Sequence, residues 1–285
     1  MDNLLIRAAV ILHLSMLKKS VIIVFFSVLL FGIVRANATE EIQKLRILAQ
    51  NGNVEAQFIL GGRYYSGYGV DQSYAEAVKW VRLASGQGFA KAQYNLGSMY
   101  FKGQGVNQNY AEAAILYRLA AEQGMAEAQY NLGVLYATGK GVVQNFAEAV
   151  TWYHLAADQG DIQAQYNLGV AYDTGKGVLQ DLAEAVKWYR LAADQGHVMA
   201  QNNLGVMNAK GYGIAQNYTE SAQWFRLAAT QGNVKSQLSI GRMYEKGYGV
   251  GKNITEAVKW YRLAADQGNV IAQNKIGELL DKRER

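Results

Sequence analysis

The sequence predicts an all-α solenoid of stacked helix pairs, and three observations predict it. One is a fixed period of 36 residues: Trp80, Trp152, Trp188, Trp224 and Trp260 stand in one column, with Leu116 in the missing place, so every tryptophan is accounted for. Another is punctuation by glycine alone, with 30 glycines and no proline. Gly52, Gly88, Gly124, Gly160, Gly196, Gly232 and Gly268 form one column at that period, and Gly61, Gly97, Gly133, Gly169, Gly205, Gly241 and Gly277 form another. The third is near-identity between units, since residues 184–196 and 256–268 both read EAVKWYRLAADQG. A period of this length marks a solenoid, in which no unit buries its apolar surface alone and stability comes from stacking.

Within one unit, residues 125–160, the pattern resolves into two helices. The first is expected over about Ala126 to Thr138, with Ala128, Leu132 and Tyr136 on one stripe. Gly139-Lys140-Gly141-Val142 then reads as a helix stop with glycine available for a left-handed residue. The second helix is expected over about Ala147 to Asp158 and ends at Gly160. Ala156 and Ala157 allow close helix approach, and Trp152 and Tyr153 fill the space between neighbours, so a central member of the tryptophan column, Trp188, is expected to be buried. Gly133 lies inside the first helix, where glycine costs about 1 kcal/mol relative to alanine; its return in every unit predicts a crossing too tight for a side chain. On the second helix Glu184, Lys187, Arg190 and Asp194 share a polar face. The column Arg82, Arg118, His154, Arg190, Arg226 and Arg262 belongs to it and is expected to be a solvated outer surface.

Six full units follow one another at 53–88, 89–124, 125–160, 161–196, 197–232 and 233–268. Residues 39–52 match a second helix and 269–285 a first helix, so both ends are half-units, the C-terminal one capped by the charged DKRER tail. Ahead of the array, Lys18-Lys19 precede an apolar run from Val21 to Val34, and Ala36-Asn37-Ala38 supplies small residues at a signal-peptidase spacing. Residues 1–38 are therefore expected to be a secretory signal peptide cleaved after Ala38, with Met16 a second possible start. The run falls short of the roughly 20 residues that span a bilayer, so no membrane insertion is expected after cleavage. A periplasmic or secreted destination follows.

Charge excludes one class of partner. The formal net charge is +5, but residues 1–38 hold four basic residues against Asp2. The remainder carries 24 basic and 22 acidic residues with no long run of either sign, so nucleic acid is not an expected partner. With no cysteine, disulfides, thiolate metal sites and cysteine nucleophiles are excluded.

The motif A-x-A-Q-Y-N-L-G-x-x-Y-x-x-G-x-G-V followed by A-E-A-x-x-W-Y-x-L-A-A-x-Q-G, fullest at 126–160 and 162–196, resembles the Sel-one-like repeat, a relative of the tetratricopeptide repeat. The resemblance covers essentially all of the chain after Ala38. It implies a right-handed α-solenoid of antiparallel helix pairs whose members commonly serve as protein–protein adaptors, bacterial ones in cell-envelope processes and in host contact. It also implies that the first helix of each pair lines a concave groove. In one unit the groove stripe is then Lys91, Tyr94, Asn95, Ser98, Phe101 and Lys102, one helical face by spacing. Across units, Tyr94, Tyr130 and Tyr166 form one column, and Asn95, Asn131, Asn167 and Asn203 the next. Tyrosine offers a large area with a polar tip, and asparagine can pair with the backbone of an extended peptide. The same columns also suit packing between units. Asn202, Leu238 and Ser239 interrupt the pair, so binding through it is expected to favour units one to four.

The inventory for catalysis is thin. After the leader the histidines are His154 and His197, in different columns of different units; His154 replaces an arginine and is expected at the surface. Two isolated histidines without cysteine make no zinc site, and no cofactor is expected. Gly133 to Lys140 and Gly169 to Lys176 resemble a phosphate loop, but five residues separate the glycines where four are required, and glycine follows the lysine. Cysteine-rich relatives have been linked to penicillin binding; this chain lacks their cysteines and has no Ser-x-x-Lys after Ala38, which leaves a penicillin-binding or hydrolytic enzyme as the weaker alternative to a non-enzymatic binding module. Asn217-Tyr218-Thr219 and Asn253-Ile254-Thr255 match the glycosylation pattern, at a loop-to-helix position that the repeat itself explains.

Overall fold

The computed structural model describes residues 40–284, and over these the protein is an all-α solenoid of antiparallel helix pairs. The leader read at 1–38 lies outside the described residues. No helix among the described residues is long and apolar enough to cross a membrane. The chain divides into two compact units, with the break between Asn109 and Tyr110. The first unit holds α1 (residues 40–50), α2 (Val54–Ser66), α3 (Tyr74–Gly86) and α4 (Ala90–Lys102). The second runs through α5 (Tyr110–Glu122), α6 (Ala126–Thr138), α7 (Phe146–Asp158), α8 (Ile162–Thr174), α9 (Leu182–Asp194), α10 (Val198–Lys210), α11 (Tyr218–Thr230), α12 (Val234–Lys246), α13 (Ile254–Asp266) and α14 (Val270–Glu284).

Local chemistry sets the helix ends. α6 spans the expected residues, and α7 starts one residue earlier than expected because Asn145 caps it, its Oδ1 accepting from the N–H groups of Ala147 at 3.0 Å and Glu148 at 3.1 Å. Asn217 and Asn253 do the same for α11 and α13, which gives their recurrent position a helix-capping reason. α6 stops at Gly139, left-handed with φ 69°, whose N–H returns to the Leu135 carbonyl. Gly141, two residues on, has a second job the sequence did not show: a Cβ there would collide with the backbone of Tyr110 at the head of α5, so the loop rests directly on the preceding helix pair.

The glycine inside the first helix behaves as its recurrence predicts. A Cβ at Gly133 would stand 2.6 Å from Tyr153 Cε1, and one at Gly205 2.6 Å from Phe225 Cδ1. In the second unit the ring that fills each of these crossings thus comes from the column after tryptophan. Tyr153, Tyr189, Phe225 and Tyr261 are buried, Tyr189 to 1% exposure, whereas Trp152, Trp188, Trp224 and Trp260 are only half-buried. The burial expected of Trp188 therefore belongs chiefly to Tyr189. The reason is helical phase: one residue is a turn of about 100°, enough to move a side chain from the pair interface to its margin. Trp80, in the first unit, is buried at 7% exposure.

Two polar ladders join successive pairs. The first uses a glutamine that the sequence motif carries without an evident purpose. Gln129, 4% exposed, donates to the Ala121 carbonyl of α5 at 3.0 Å and accepts from Gln159 at the end of α7 at 2.8 Å. Gln165, Gln201 and Gln237 repeat the arrangement in the second unit, and Gln57 with Gln87 in the first. One side chain thus ties three helices and satisfies a carbonyl at a buried helix end. The second ladder runs along the arginine column, whose Arg82, Arg118, Arg226 and Arg262 are exposed as expected of an outer surface and which also bonds to the next pair. Arg82 donates to the Tyr100 hydroxyl at 2.9 Å, Arg226 to that of Tyr244 at 2.8 Å, and Arg118 to that of Tyr136. Where Asn208 stands in place of that tyrosine, Arg190 pairs with Glu220 at 2.5 Å instead. His154 departs from the surface position expected of it: it is half-buried, 3.2 Å from the Tyr172 hydroxyl and edge-on to Trp188. These partners lie 18 to 34 residues away in sequence, beyond any local pattern.

Candidate functional site

The first helices present the stripe expected of them. Lys91, Tyr94, Asn95, Ser98, Phe101 and Lys102 of α4 are all half-buried or exposed, while Ala92, Gln93, Leu96, Gly97 and Met99 between them face the core. In the first unit this stripe and α2 enclose a cavity of about 310 Å³. Tyr94 and Asn95 line it with Tyr65, Ser98, Lys102 and Gln104, over a floor made by Val81 of α3. The cavity exists because of side chains that are missing. Gly62 and Ser98 occupy the column that holds Val134, Val170 and Val206 in later units, where the valines pack against the cores. Gly62 is exposed and a Cβ on it meets nothing within 4 Å, whereas one on the adjacent Gly61 would stand 2.5 Å from Val81 Cγ2. One glycine packs; its neighbour opens the pocket. The Tyr65 hydroxyl closes one edge by donating to Gln104 at 2.9 Å.

The other sequence-predicted residues lie in the second unit, half-buried and engaged with their neighbours. Tyr130 packs on Tyr153 with ring centres 6.1 Å apart, and the Asn167 amide on the next first helix acts on both hydroxyls, favouring their ionised form against burial. Burial, then the nearby Asp161 charge, pushes the Tyr130 hydroxyl pKa up. Asn203 plays the same part for Tyr189, whose hydroxyl also donates to Asp173 at 3.2 Å. Tyr166 packs on Tyr189 and is stacked on His197 at 4.3 Å. Asn131 is half-buried on the same face of α6. The asparagine column thus faces the tyrosines of the preceding pair, and its side chains stay partly accessible.

His197 was legible only as an isolated histidine. It caps α10, its Nδ1 accepting from the Ala200 N–H at 3.2 Å. That role requires a neutral ring, and burial holds its pKa below the usual histidine value.

A second cavity, of about 480 Å³, occupies the corresponding place in the last full repeat, between α12 and α14 over Tyr261 of α13. It lies where the Tyr-Asn pair has given way to Leu238 and Ser239.

A solenoid of helix pairs with an accessible first-helix stripe and cavities between successive first helices places the chain in the helical-repeat class of proteins. The Sel1 repeat model matches residues 54–89, 90–125, 126–161, 162–197, 198–233 and 234–269, and the chain belongs to the Sel1 repeat family. Proteins of this family are generally protein-interaction scaffolds, and the repeat is typically non-catalytic. Among solved structures the chain is similar to c5321, a protective antigen present in uropathogenic Escherichia coli strains displaying an SLR fold, at 41% identity and TM-score 0.81 over 85% of this chain and 52% of that one. It thus spans about half the length of that antigen. It is also similar to a Sel1 repeat protein from Oxalobacter formigenes, at 35% identity and TM-score 0.65 over 81% of this chain and 96% of that one. No curated protein matches it.

Proposed function

We propose that the chain is a non-enzymatic binding module of the bacterial periplasm or cell envelope, which takes an extended peptide or protein segment along its first-helix face. The observation that carries this reading is the cavity at Tyr94 and Asn95: a pocket of about 310 Å³, walled by a tyrosine, an asparagine amide and Ser98, and opened by Gly62. A pocket of that make-up receives one side chain of a ligand while the asparagine pairs with its backbone. Tyr130, Asn131, Tyr166, Asn167 and Asn203 extend the same surface chemistry in the second unit. The proposed address rests on the leader expected at 1–38, and the chain is proposed not to insert into a membrane after its cleavage.

The test is a crosslinking pull-down from the native envelope with the wild type and with Gly62→Val, which installs the residue found at 134, 170 and 206 and fills the pocket. The module reading expects a specific captured protein that Gly62→Val loses while helicity is retained. Equal capture by both moves the interface away from Tyr94, and a purely cytoplasmic protein on fractionation overturns the address. A second reading, a secreted factor acting at host contact, is favoured by the likeness to a protective antigen at 41% identity. Recovery from the culture medium rather than the periplasm distinguishes it.

A further inference from the structure

The last full repeat and the half-unit after it depart from their siblings at several positions that meet in one place. Arg242 stands in the column otherwise held by Gly62, Ser98, Val134, Val170 and Val206. Lys275 stands in the asparagine column, Leu238 in the tyrosine column, and Ile271 where Lys91, Glu127, Gln163, Met199 and Lys235 stand. All four line the cavity of about 480 Å³, together with Ser239 and Lys246. Packing between pairs does not ask for these changes, because the other repeats pack without them.

The charges are arranged to leave a surplus. Glu245, 9% exposed, accepts from Tyr261 at 2.8 Å and pairs with Lys246 at 3.0 Å. Burial opposes its ionisation, but the bonds from Lys246 and Tyr261 and the charges of Lys246 and Lys275 outweigh that and hold its pKa below the usual carboxylate value. Lys275 pairs with Glu278 at 2.6 Å. Arg242 is exposed and has no ion-pair partner among the described residues, so three cations face two anions and one positive charge is left over. Beside it Ile271 exposes 64% of its surface, on a position that is polar or Met in the earlier repeats.

We propose that this cavity is a second binding site, specific for a peptide carboxylate flanked by an apolar side chain: the carboxylate is held by Arg242 with Lys275 beside it, and the apolar group covers Ile271 and Leu238. A single surplus charge matches a carboxylate, whereas a phosphate monoester brings about −1.5 to −2. The guanidinium also offers two parallel donors to the two carboxylate oxygens. The site lies on first helices of the second unit, the kind of surface the proposed function uses, but is independent of the pocket at Tyr94. Loss of partner capture through Gly62→Val leaves it standing, and its own failure leaves the Tyr94 pocket standing.

The test uses the full chain after the leader and a fluorescent acetyl-Leu-Glu-Leu-Glu-Leu amide, with its glutamine counterpart and inorganic phosphate as the other arms, followed by polarisation at low salt. The expected result is saturable binding of the glutamate peptide, at least about tenfold weaker binding of the glutamine peptide, and a loss of about tenfold in each of Arg242→Val and Lys275→Asn. Both variants install residues that sibling repeats carry, and circular dichroism checks that they fold; if Arg242→Val does not, Lys275→Asn decides. Equal affinity for the two peptides, folded variants with unchanged affinity, absence of saturable binding, or displacement of the peptide by inorganic phosphate at equal concentration each overturns the proposal.

Discussion

The two cavities occupy one address in the repeat and are built from different chemistry. Gly62 corresponds to Arg242, Tyr65 to Glu245, Val81 to Tyr261 and Asn95 to Lys275, each pair separated by 180 residues, or five periods. In the first unit the address is hollowed by leaving side chains out, over an aliphatic floor. In the second it is walled by charge over an aromatic floor whose hydroxyl is tied to a carboxylate. The lesson is that the stacking contacts fix where a cavity can form, and the few first-helix positions they leave unused fix what it can hold.

The comparison can be broken most sharply at the floors. Tyr261→Ala should cost about 3–5 kcal/mol, because it empties a buried aromatic site and leaves Glu245 without its hydroxyl donor, whereas Val81→Ala should cost only about 1–2 kcal/mol. Urea unfolding monitored by circular dichroism measures both, and equal costs would show that the floors do not differ as drawn.

A smaller effect separates the two adjacent glycines of the first cavity. Gly61→Ala should destabilise by about 1–3 kcal/mol, since the added methyl meets Val81 Cγ2 at 2.5 Å. Gly62→Ala should instead stabilise by up to about 1 kcal/mol, because its Cβ enters open space within a helix. Melting temperatures moving in opposite directions support the division between a packing and a pocket-opening glycine. Movement in the same direction refutes it.

The smallest expected effect lies outside both cavities, at His197. Its folded-state pKa is depressed by burial, so the unfolded chain binds the proton more readily. The stability it contributes is full above the unfolded value and is lost as pH falls through the folded one. Unfolding midpoints should therefore decline more steeply below about pH 6.5 in the wild type than in His197→Asn, which keeps a cap acceptor of the kind found at Asn233. Parallel pH profiles would remove the histidine from the account.

Much of this was legible beforehand, in a particular way. A period of 36 with glycine columns exposed the helix pairs, the ends of α6 and the tight crossing at Gly133, because each depends on interactions within one unit that recur in every unit. The burial of Tyr189 over Trp188 was not legible, since adjacent aromatic columns repeat equally well and only the phase of the helix in its pair separates them. Nor were the Gln129 clamp and the Arg118–Tyr136 bond, whose partners belong to neighbouring pairs. Tyr94 and Asn95 were picked from a column, but what makes them part of a cavity is Gly62, a residue whose importance is an absence.

Periodic burial needs periodic residues, so the class of fold, the repeat and the stripe on which binding chemistry can sit are all written in the 36-residue pattern. Which side chain fills each crossing, which polar groups join repeats and where the stripe opens into a cavity are set by packing between helices. Those outcomes depend on the facing helix, and a repeat unit carries no record of how the next one is rotated against it.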